Sequence, residues 1–142
     1  MLIGEFGHGM DKKNRIIIPS KLREGLGETF VMTKGLDSCL YIYPKKEWET
    51  FEKKLKSLPL TDKNVRAFVR FFFSGANEME PDKMGRVLIP QSLLGYAGIE
   101  AEVVSVGMMD RVEVWSKEKW EAYNESEMDM DAIAEKMNEL GI

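Results

Sequence analysis

The chain has 142 residues, of which 44% are apolar and 31% are charged, so it can form one domain or two very small ones and can bury a core. A single cysteine, Cys39, excludes an intramolecular disulfide framework and fits a reducing compartment. The first residues contain neither a basic segment nor a sustained apolar stretch, and no apolar run approaches the roughly 18 residues that span a bilayer. We therefore expect a cytoplasmic protein without a signal peptide and without a membrane partner.

Charge is unevenly distributed along the chain, although the net charge is only −4. Residues 1–71 carry 14 Lys or Arg against 9 Asp or Glu, whereas residues 72–142 carry 6 against 15. Seven acidic residues fall within the last 22 residues, namely Glu121, Glu125, Glu127, Asp129, Asp131, Glu135 and Glu139. This asymmetry indicates a basic working surface and an acidic appendage.

Short strands and turns are predicted in the first third of the chain. Residues 3–8 form an extended stretch, residues 11–14 (DKKN) form a turn, and residues 15–18 form a β-branched strand that ends at Pro19. Ser20 is the predicted N-cap of a short helix. Two further strands are predicted at residues 29–34 and 40–43, on either side of a turn at residues 35–38.

Two helices are predicted next, in a stretch that interrupts the strands. Trp48, Phe51 and Leu55 have helical spacing, and Thr61 is the predicted N-cap of a second helix. That helix has apolar side chains at helical spacing, namely Val65, Phe68, Val69, Phe72 and Phe73. The pattern predicts core packing between the flanking parts of the chain. The three phenylalanines offer more apolar surface than a small chain easily hides, so some should lie between repeats or subunits.

The second half of the chain repeats the first. Residues 82–90 (DKMGRVLIP) match residues 11–19 (DKKNRIIIP) at an offset of 71 residues, and Trp115 and Trp120 match Tyr43 and Trp48 at an offset of 72. Strands are accordingly predicted at residues 102–106 and 111–115, and a weaker helical period begins at residue 129. The chain is interpreted as two copies of one unit of about 45 residues.

Four segments follow from the repeat. They are a first repeat at residues 1–48, a helical insert at 49–74, a second repeat at 75–120 and an acidic helix or tail at 121–142. Short strands with a turn about every ten residues predict a small barrel that neither copy could close alone.

Residue patterns for catalysis and for metal binding are absent from the sequence. The only histidine, His8, is predicted to be a partly exposed strand residue, and Cys39 is predicted to be a buried or half-buried thiol rather than a nucleophile. Asp129 and Asp131 imitate the start of a calcium loop but lack its glycine and its glutamate. We therefore expect no enzyme, no metal, no cofactor and no small-molecule substrate; an enzyme that uses Cys39 is the remote alternative.

The duplicated turn contains the candidate site. Each turn opens with an aspartate, whose side chain favours turn initiation, and its fourth residue tolerates the left-handed backbone region. An arginine follows at the start of the next strand. These residues are Asp11, Asn14 and Arg15 in the first turn and Asp82, Gly85 and Arg86 in the second.

The two arginines have a simple interpretation and a functional one. Each could form a weak surface ion pair with the aspartate four residues earlier. Alternatively, a basic turn with a guanidinium at its base suits phosphates and the major-groove edge of guanine. Residues 11–23 carry five basic side chains against Asp11 alone, so composition leaves a nucleic acid and an acidic protein open as partners.

The sequence resembles the MraZ family of bacterial transcriptional regulators, which carry two SpoVT/AbrB-type DNA-binding repeats in one chain. The resemblance covers nearly the whole length and is most specific at residues 82–90, 67–76 (AFVRFFFSGA), 34–37 (KGLD) and 115–120 (WSKEKW). It implies an α+β, mainly β fold: a double-split (swapped-hairpin) β-barrel formed by the two internal repeats, with peripheral helices. It also implies a ring-like homo-oligomer of about eight subunits.

The same resemblance implies a nucleoid-associated, sequence-specific DNA-binding regulator of the division and cell-wall gene cluster, its own promoter included. Its ligand is double-stranded DNA with G-rich direct repeats. The base readers that it marks are Arg15 and Arg86, and the phosphate contacts are Lys12, Lys13 and Lys83. Asn14 stands where the family usually has glycine, which leaves the first turn plausible but slightly strained. Met84 stands opposite Lys13, so we expect less affinity from the second turn. A ring-forming scaffold that binds an acidic protein is the alternative.

Overall fold

The computed structural model describes residues 1–126 and 129–142. The strands are β1 (Leu2–Gly9), β2 (Arg15–Ile17), β3 (Phe30–Lys34), β4 (Leu40–Pro44), β5 (Asn77–Met79), β6 (Arg86–Leu88), β7 (Glu102–Met109) and β8 (Val112–Ser116). The α-helices are α1 (Ser20–Leu26), α2 (Lys45–Lys56), α3 (Lys63–Gly75), α4 (Gln91–Ala97), α5 (Lys117–Ser126) and α6 (Met130–Met137). Short 3-10 helices lie at Leu36–Ser38 and Asn138–Leu140. Glu127, one of the acids of the predicted tail, lies outside the described residues.

The fold is α+β, and every strand pair is antiparallel. Six strands form one sheet in the order β1-β7-β8-β4-β3-β5, and β2 pairs with β6 in a separate two-stranded sheet, called the ribbon below. Because β1 and β5 lie at opposite edges of the larger sheet, neither sheet closes into a barrel within the described residues. The double-split barrel therefore stays a prediction.

Strands from the two halves of the chain pair with each other. β1 lies along the whole length of β7, β2 pairs with β6, β5 pairs with β3, and β4 pairs with β8. Each half thus completes the sheets of the other half. This exchange brings residues that are 45 to 107 positions apart in the sequence into direct contact.

One apolar core fills the space between the ribbon and the larger sheet. Ile16 and Val87 point inward from the ribbon, and they share this core with Phe30 and Val114 of the larger sheet. All four side chains are buried. Burial of this core, at about 25 cal/mol per Å² of apolar surface, holds the two sheets against each other.

A second, aromatic core attaches the helices to the larger sheet. Phe72 of α3 is 1% exposed, and the ring centroids of Phe51, Phe68 and Phe71 each lie 5.0 Å from its own. The backbone carbonyl of Phe72 also accepts a hydrogen bond from the Thr33 hydroxyl at 2.6 Å. The helical period therefore predicts the packing of α3 correctly, but it does not distinguish buried Phe72 from Phe68, which is 41% exposed.

This aromatic core extends to both halves of the chain. Tyr43 stacks on Phe51 at 5.3 Å between ring centroids. The ring centroid of Trp115 lies 5.3 Å from that of Trp120 and 5.2 Å from that of Tyr123, both on α5.

None of the helices that the structure describes is long and apolar enough to cross a membrane.

Two predicted helix caps are wrong. Ser20 lies inside α1, and Pro19 precedes the helix without a side-chain cap. The N-cap of α3 is Asp62 and not Thr61, because the Asp62 carboxylate accepts hydrogen bonds from the backbone N–H groups of Asn64 and Val65. Both mistakes are displacements by one residue, between neighbours that each favour a helix start.

Candidate nucleic-acid interface

The first turn is organised by the carboxylate of Asp11. Its Oδ1 accepts hydrogen bonds from the backbone N–H groups of Lys13 at 2.9 Å and of Arg15 at 3.0 Å. Its Oδ2 accepts a hydrogen bond from Nε of Arg15 at 2.8 Å. The backbone closes the turn, because the N–H of Asn14 donates to the carbonyl of Asp11 at 3.1 Å.

The second turn repeats this arrangement with different side chains. Oδ1 of Asp82 accepts from the backbone N–H groups of Met84 and Arg86, both at 2.9 Å. Its Oδ2 accepts from Nε of Arg86 at 2.7 Å. The fourth residue is left-handed in both turns, with φ of 61° at Asn14 and 79° at Gly85. The two turns therefore have the same backbone.

Both aspartates remain charged in these turns. Hydrogen bonds lower the pKa of Asp11, first the one from the backbone N–H of Arg15 and then the one from its side chain. The pKa of Asp82 is lowered by the same bonds from Arg86. An ionised carboxylate accepts charge-assisted hydrogen bonds, so it can hold the neighbouring guanidinium in place.

The surface ion pairs expected for the arginines are present, but they occupy only one nitrogen of each guanidinium. Nε of Arg15 and of Arg86 binds the aspartate, and no partner within the described residues binds their terminal amino groups. The side chains are 26% and 27% exposed. Each aspartate therefore orients an arginine whose terminal N–H donors remain free for another molecule.

Pairing in the ribbon brings the two arginines together. The register is Arg15 with Leu88, Ile16 with Val87, and Ile17 with Arg86. Since side chains alternate between the faces of a strand, Arg15 and Arg86 share the outer face while the central pair is buried. They occupy diagonal positions on neighbouring strands, and residues in such positions lie about 7–8 Å apart. One compact face thus displays both predicted base readers.

The predicted phosphate contacts surround this face as exposed side chains. Lys12 and Lys13 belong to the first turn and Lys83 to the second, and all three are exposed. Because each aspartate neutralises its arginine, these lysines supply the net positive charge of the turns.

Arg23 has a role that the sequence analysis missed. Its Nη2 donates to the backbone carbonyl of Ile18 at 2.9 Å, and its guanidinium lies against Gly85 so closely that a Cβ there would overlap it. Arg23 therefore supports the second turn from the first half of the chain and is not a free basic group. The only signal in the sequence is that its equivalent at the offset of 71 is Leu94, whereas the adjacent Leu22 and Leu93 match.

Cys39 and His8 do not form a catalytic pair. Cys39 is a buried thiol, as predicted, whose Sγ lies 3.2 Å from the carbonyl oxygen of Leu36, and burial raises the pKa of this thiol. His8 is half-buried on β1, its Nε2 is 2.9 Å from Oγ of Ser105, and burial lowers its pKa. β7 and β8 separate β1 from β4, next to which Cys39 lies.

The described residues contain no group of three or more His, Cys, Asp or Glu side chains that could hold a metal ion. Asp129, which imitates a calcium-loop residue in the sequence, instead caps α6, because its carboxylate accepts a hydrogen bond from the N–H of Ala132 at 3.3 Å.

Comparison with known proteins agrees with the duplication. The sequence model of one family, described as "MraZ protein, putative antitoxin-like", matches residues 1–71 and again residues 72–140. The chain is 66% identical over 142 residues to the transcriptional regulator MraZ of Clostridium acetobutylicum and 65% identical to that of Clostridium tetani, in each case over the full length of both proteins. It is 60% identical over 143 residues to the transcriptional regulator MraZ of Acetivibrio thermocellus, again over all of both chains.

Proposed function

The chain belongs to the MraZ family of transcriptional regulators and is not an enzyme, and we propose that it binds double-stranded DNA with the outer face of the ribbon. The observation that carries this proposal is the paired geometry of Arg15 and Arg86. Two separate turns of one backbone conformation present two oriented guanidinium groups on a single face.

Each guanidinium is suited to read guanine. The O6 and N7 atoms of guanine accept two hydrogen bonds from one arginine in the major groove. Because the aspartate holds Nε, the terminal N–H groups of Arg15 and Arg86 can make these two bonds from a preset orientation, which lowers the entropic cost of binding. Lys12, Lys13 and Lys83 then contact phosphates, which give affinity but little sequence information.

The shape of the ribbon also fits this ligand. A two-stranded β-ribbon can enter the major groove, which is about 12 Å wide. The turns flank the ribbon at its ends, since the N–H of Ile18 donates to the carbonyl of Gly85 and the N–H of Ile89 donates to that of Asn14, both at 2.9 Å. In this pose the arginines face bases and the turn lysines face the phosphates at the groove edges.

The family resemblance supplies the finer parts of the proposal. The target is G-rich direct repeats in the promoter of the division and cell-wall gene cluster, the protein's own promoter included, and the protein acts at the nucleoid in the cytoplasm. The division of the chain into two repeats, a helical insert and an acidic tail, with bounds at residues 48, 74 and 120, is part of the same proposal. The shared core between ribbon and larger sheet supports the double-split barrel as the description of the two repeats.

A ring-like homo-oligomer of about eight copies would explain how a protein of net charge −4 binds DNA. Each ribbon carries only a few free positive charges, but linked sites bind at a high effective concentration. Repulsion from the acidic C-terminal helices is screened beyond about 8–10 Å at physiological ionic strength. The exposed side chain of Phe68 on α3 is the first candidate for a contact between subunits.

The proposal is tested with arginine variants and two duplexes, one with spaced G-rich repeats and one with the scrambled sequence. Arg15→Ala should cost about 1–3 kcal/mol of binding free energy on the first duplex and reduce discrimination against the second. Arg86→Ala should act in the same direction but more weakly. Arg15→Lys keeps the charge but cannot make the bidentate contact, so it should also reduce discrimination between the two duplexes. Fluorescence anisotropy at two salt concentrations measures these effects.

Arg70→Ala is the matched control, because Arg70 is an exposed arginine on α3 outside the ribbon. It should leave discrimination between the duplexes unchanged. If the Arg15/Arg86 double alanine variant binds the G-rich duplex as tightly as the parent, the proposal is wrong. If the parent protein binds neither duplex but retains an acidic protein from a nuclease-treated lysate, the scaffold alternative is favoured instead.

A further inference from the structure

Two aliphatic side chains share the outer face of the ribbon with the arginines. Ile17 is 49% exposed and Leu88 is 57% exposed, whereas Ile16 and Val87 between them are buried. A strand with one buried face usually alternates apolar and polar residues. Here each strand continues with an aliphatic residue where the alternation predicts a polar one.

This exception is present in both halves of the chain. Leu88 follows Ile17 by the repeat offset of 71 residues, as Arg86 follows Arg15. A single exposed aliphatic residue needs no explanation in a folded protein. Two equivalent ones, each on the face that displays the arginines, indicate a ligand with apolar groups close to its hydrogen-bond acceptors.

The register places each aliphatic residue beside the arginine of the other half. Leu88 lies directly opposite Arg15, and Ile17 lies directly opposite Arg86. Directly paired residues on one face of a ribbon have Cβ atoms about 4.5–5.5 Å apart. Bases along one DNA strand are spaced by about 3.4 Å. A side chain beside a guanine-reading arginine therefore reaches a base pair one or two steps away.

The major groove offers one strongly apolar group, the methyl group of thymine. An aliphatic side chain against that methyl group buries apolar surface from both partners, and the group is missing from cytosine and uracil. The exposed lysines around the ribbon complement the charge of the phosphates on either side of the groove, which favours DNA over an uncharged apolar partner as the occupant.

We propose that Ile17 and Leu88 recognise thymine methyl groups next to the guanines read by Arg86 and Arg15, so that the ribbon reads mixed guanine–thymine steps. This inference rests on the proposed DNA binding by the ribbon and adds a second element of specificity. It predicts that the preferred site contains thymine at fixed positions within one or two steps of the contacted guanines.

The test first selects a tight-binding duplex from a random-sequence pool with the full-length parent protein. Each thymine in that duplex is then replaced by uracil, which removes only the methyl group. Loss of one buried methyl group should weaken binding by the parent about fourfold. At least one uracil position should show this loss, and it should lie beside a guanine. This measurement needs no protein variant.

Protein variants then assign each methyl group to a side chain. Ile17→Ser should abolish the sensitivity to uracil at one position, and Leu88→Ser should abolish it at another. Ile3→Ser is the matched control, because Ile3 is a strand residue of similar exposure, 52%, outside the ribbon. It should retain the full sensitivity at every position.

The outcomes separate the two proposals. If the parent selects a G-containing duplex but tolerates uracil at every thymine, thymine recognition is overturned while DNA binding by the ribbon stands. If uracil weakens binding equally for the parent and for both ribbon variants, the methyl contact belongs to other residues and the assignment is wrong. If no duplex is enriched, DNA binding itself fails, and this inference fails with it.

Discussion

The first and second turns have the same hydrogen bonds but different residues at the fourth position. In the first turn Asn14 is left-handed and lines the same cleft as Leu94. In the second turn Gly85 is left-handed and lies under the guanidinium of Arg23. The aspartate and the arginine thus determine the backbone of a turn, whereas its neighbour from the other half determines how large the fourth residue can be.

The turns also differ in charge. Lys12 and Lys13 belong to the first turn, whereas the second has Lys83 and the exposed Met84. Since the aspartate–arginine pair is neutral in both, the first turn has one more free positive charge. The two turns therefore orient the arginine in the same way but differ in how strongly they attract phosphates.

The largest effect is expected from copying the fourth residue of the first turn into the second. Asparagine tolerates a positive φ, so Gly85→Asn tests the space under Arg23 and not the backbone conformation. The Cβ would displace the guanidinium from the carbonyl of Ile18, and loss of this charge-assisted hydrogen bond should lower the free energy of unfolding by about 1–2 kcal/mol. Urea denaturation, monitored by circular dichroism, measures this free energy of unfolding.

Asn14→Gly is the reciprocal control and should change the free energy of unfolding by less than about 0.5 kcal/mol, because glycine readily adopts the positive φ that Asn14 already has. Arg23→Leu copies the residue at position 94 and removes the same hydrogen bond, so Gly85→Asn should cost little further stability in that background. Equal denaturation midpoints for Gly85→Asn and the parent would show that Arg23 does not limit the second turn.

A smaller effect is expected from equalising the lysines. Met84→Lys adds one phosphate contact, so it should tighten binding to G-rich and scrambled duplexes alike and steepen the dependence of log K on log salt by about 1. Lys13→Met is the reciprocal change and should reduce that slope by a similar amount. Anisotropy titrations over a range of salt concentrations give both slopes, and a gain confined to the G-rich duplex would contradict the phosphate role.

The smallest effect concerns the two aspartates. NMR titration should place the pKa of both Asp11 and Asp82 below the usual 3.8. A lowered pKa in the folded state means that this stabilisation is complete above pH 3.8 and is lost as the pH falls through the lowered pKa. Arg15→Ala should raise the pKa of Asp11 only part of the way, since the backbone N–H at residue 15 remains. A return of the Asp11 pKa to its usual value in Arg15→Ala would mean that the guanidinium alone lowers this pKa.

Local chemistry explains what the sequence predicts well. The duplicated Asp-x-x-x-Arg turn indicates equivalent loops, and Asn14 is identified as left-handed because few other residues tolerate positive φ. The apolar period of α3 predicts its packed face, and the apolar neighbours of Cys39 predict its burial. The cap of α3 escapes prediction, because Thr61 and Asp62 are adjacent and both can cap a helix.

The amino-acid sequence by itself therefore determines the family, the two turns and the residue types that they carry, since these depend on short-range backbone preferences. Only the tertiary structure decides that β2 pairs with β6, that Arg15 and Arg86 share a face with Ile17 and Leu88, and that Arg23 covers Gly85. These contacts join residues far apart in the chain. Hydrophobic periodicity specifies which face of a strand is buried, but it does not specify which strand lies next to it.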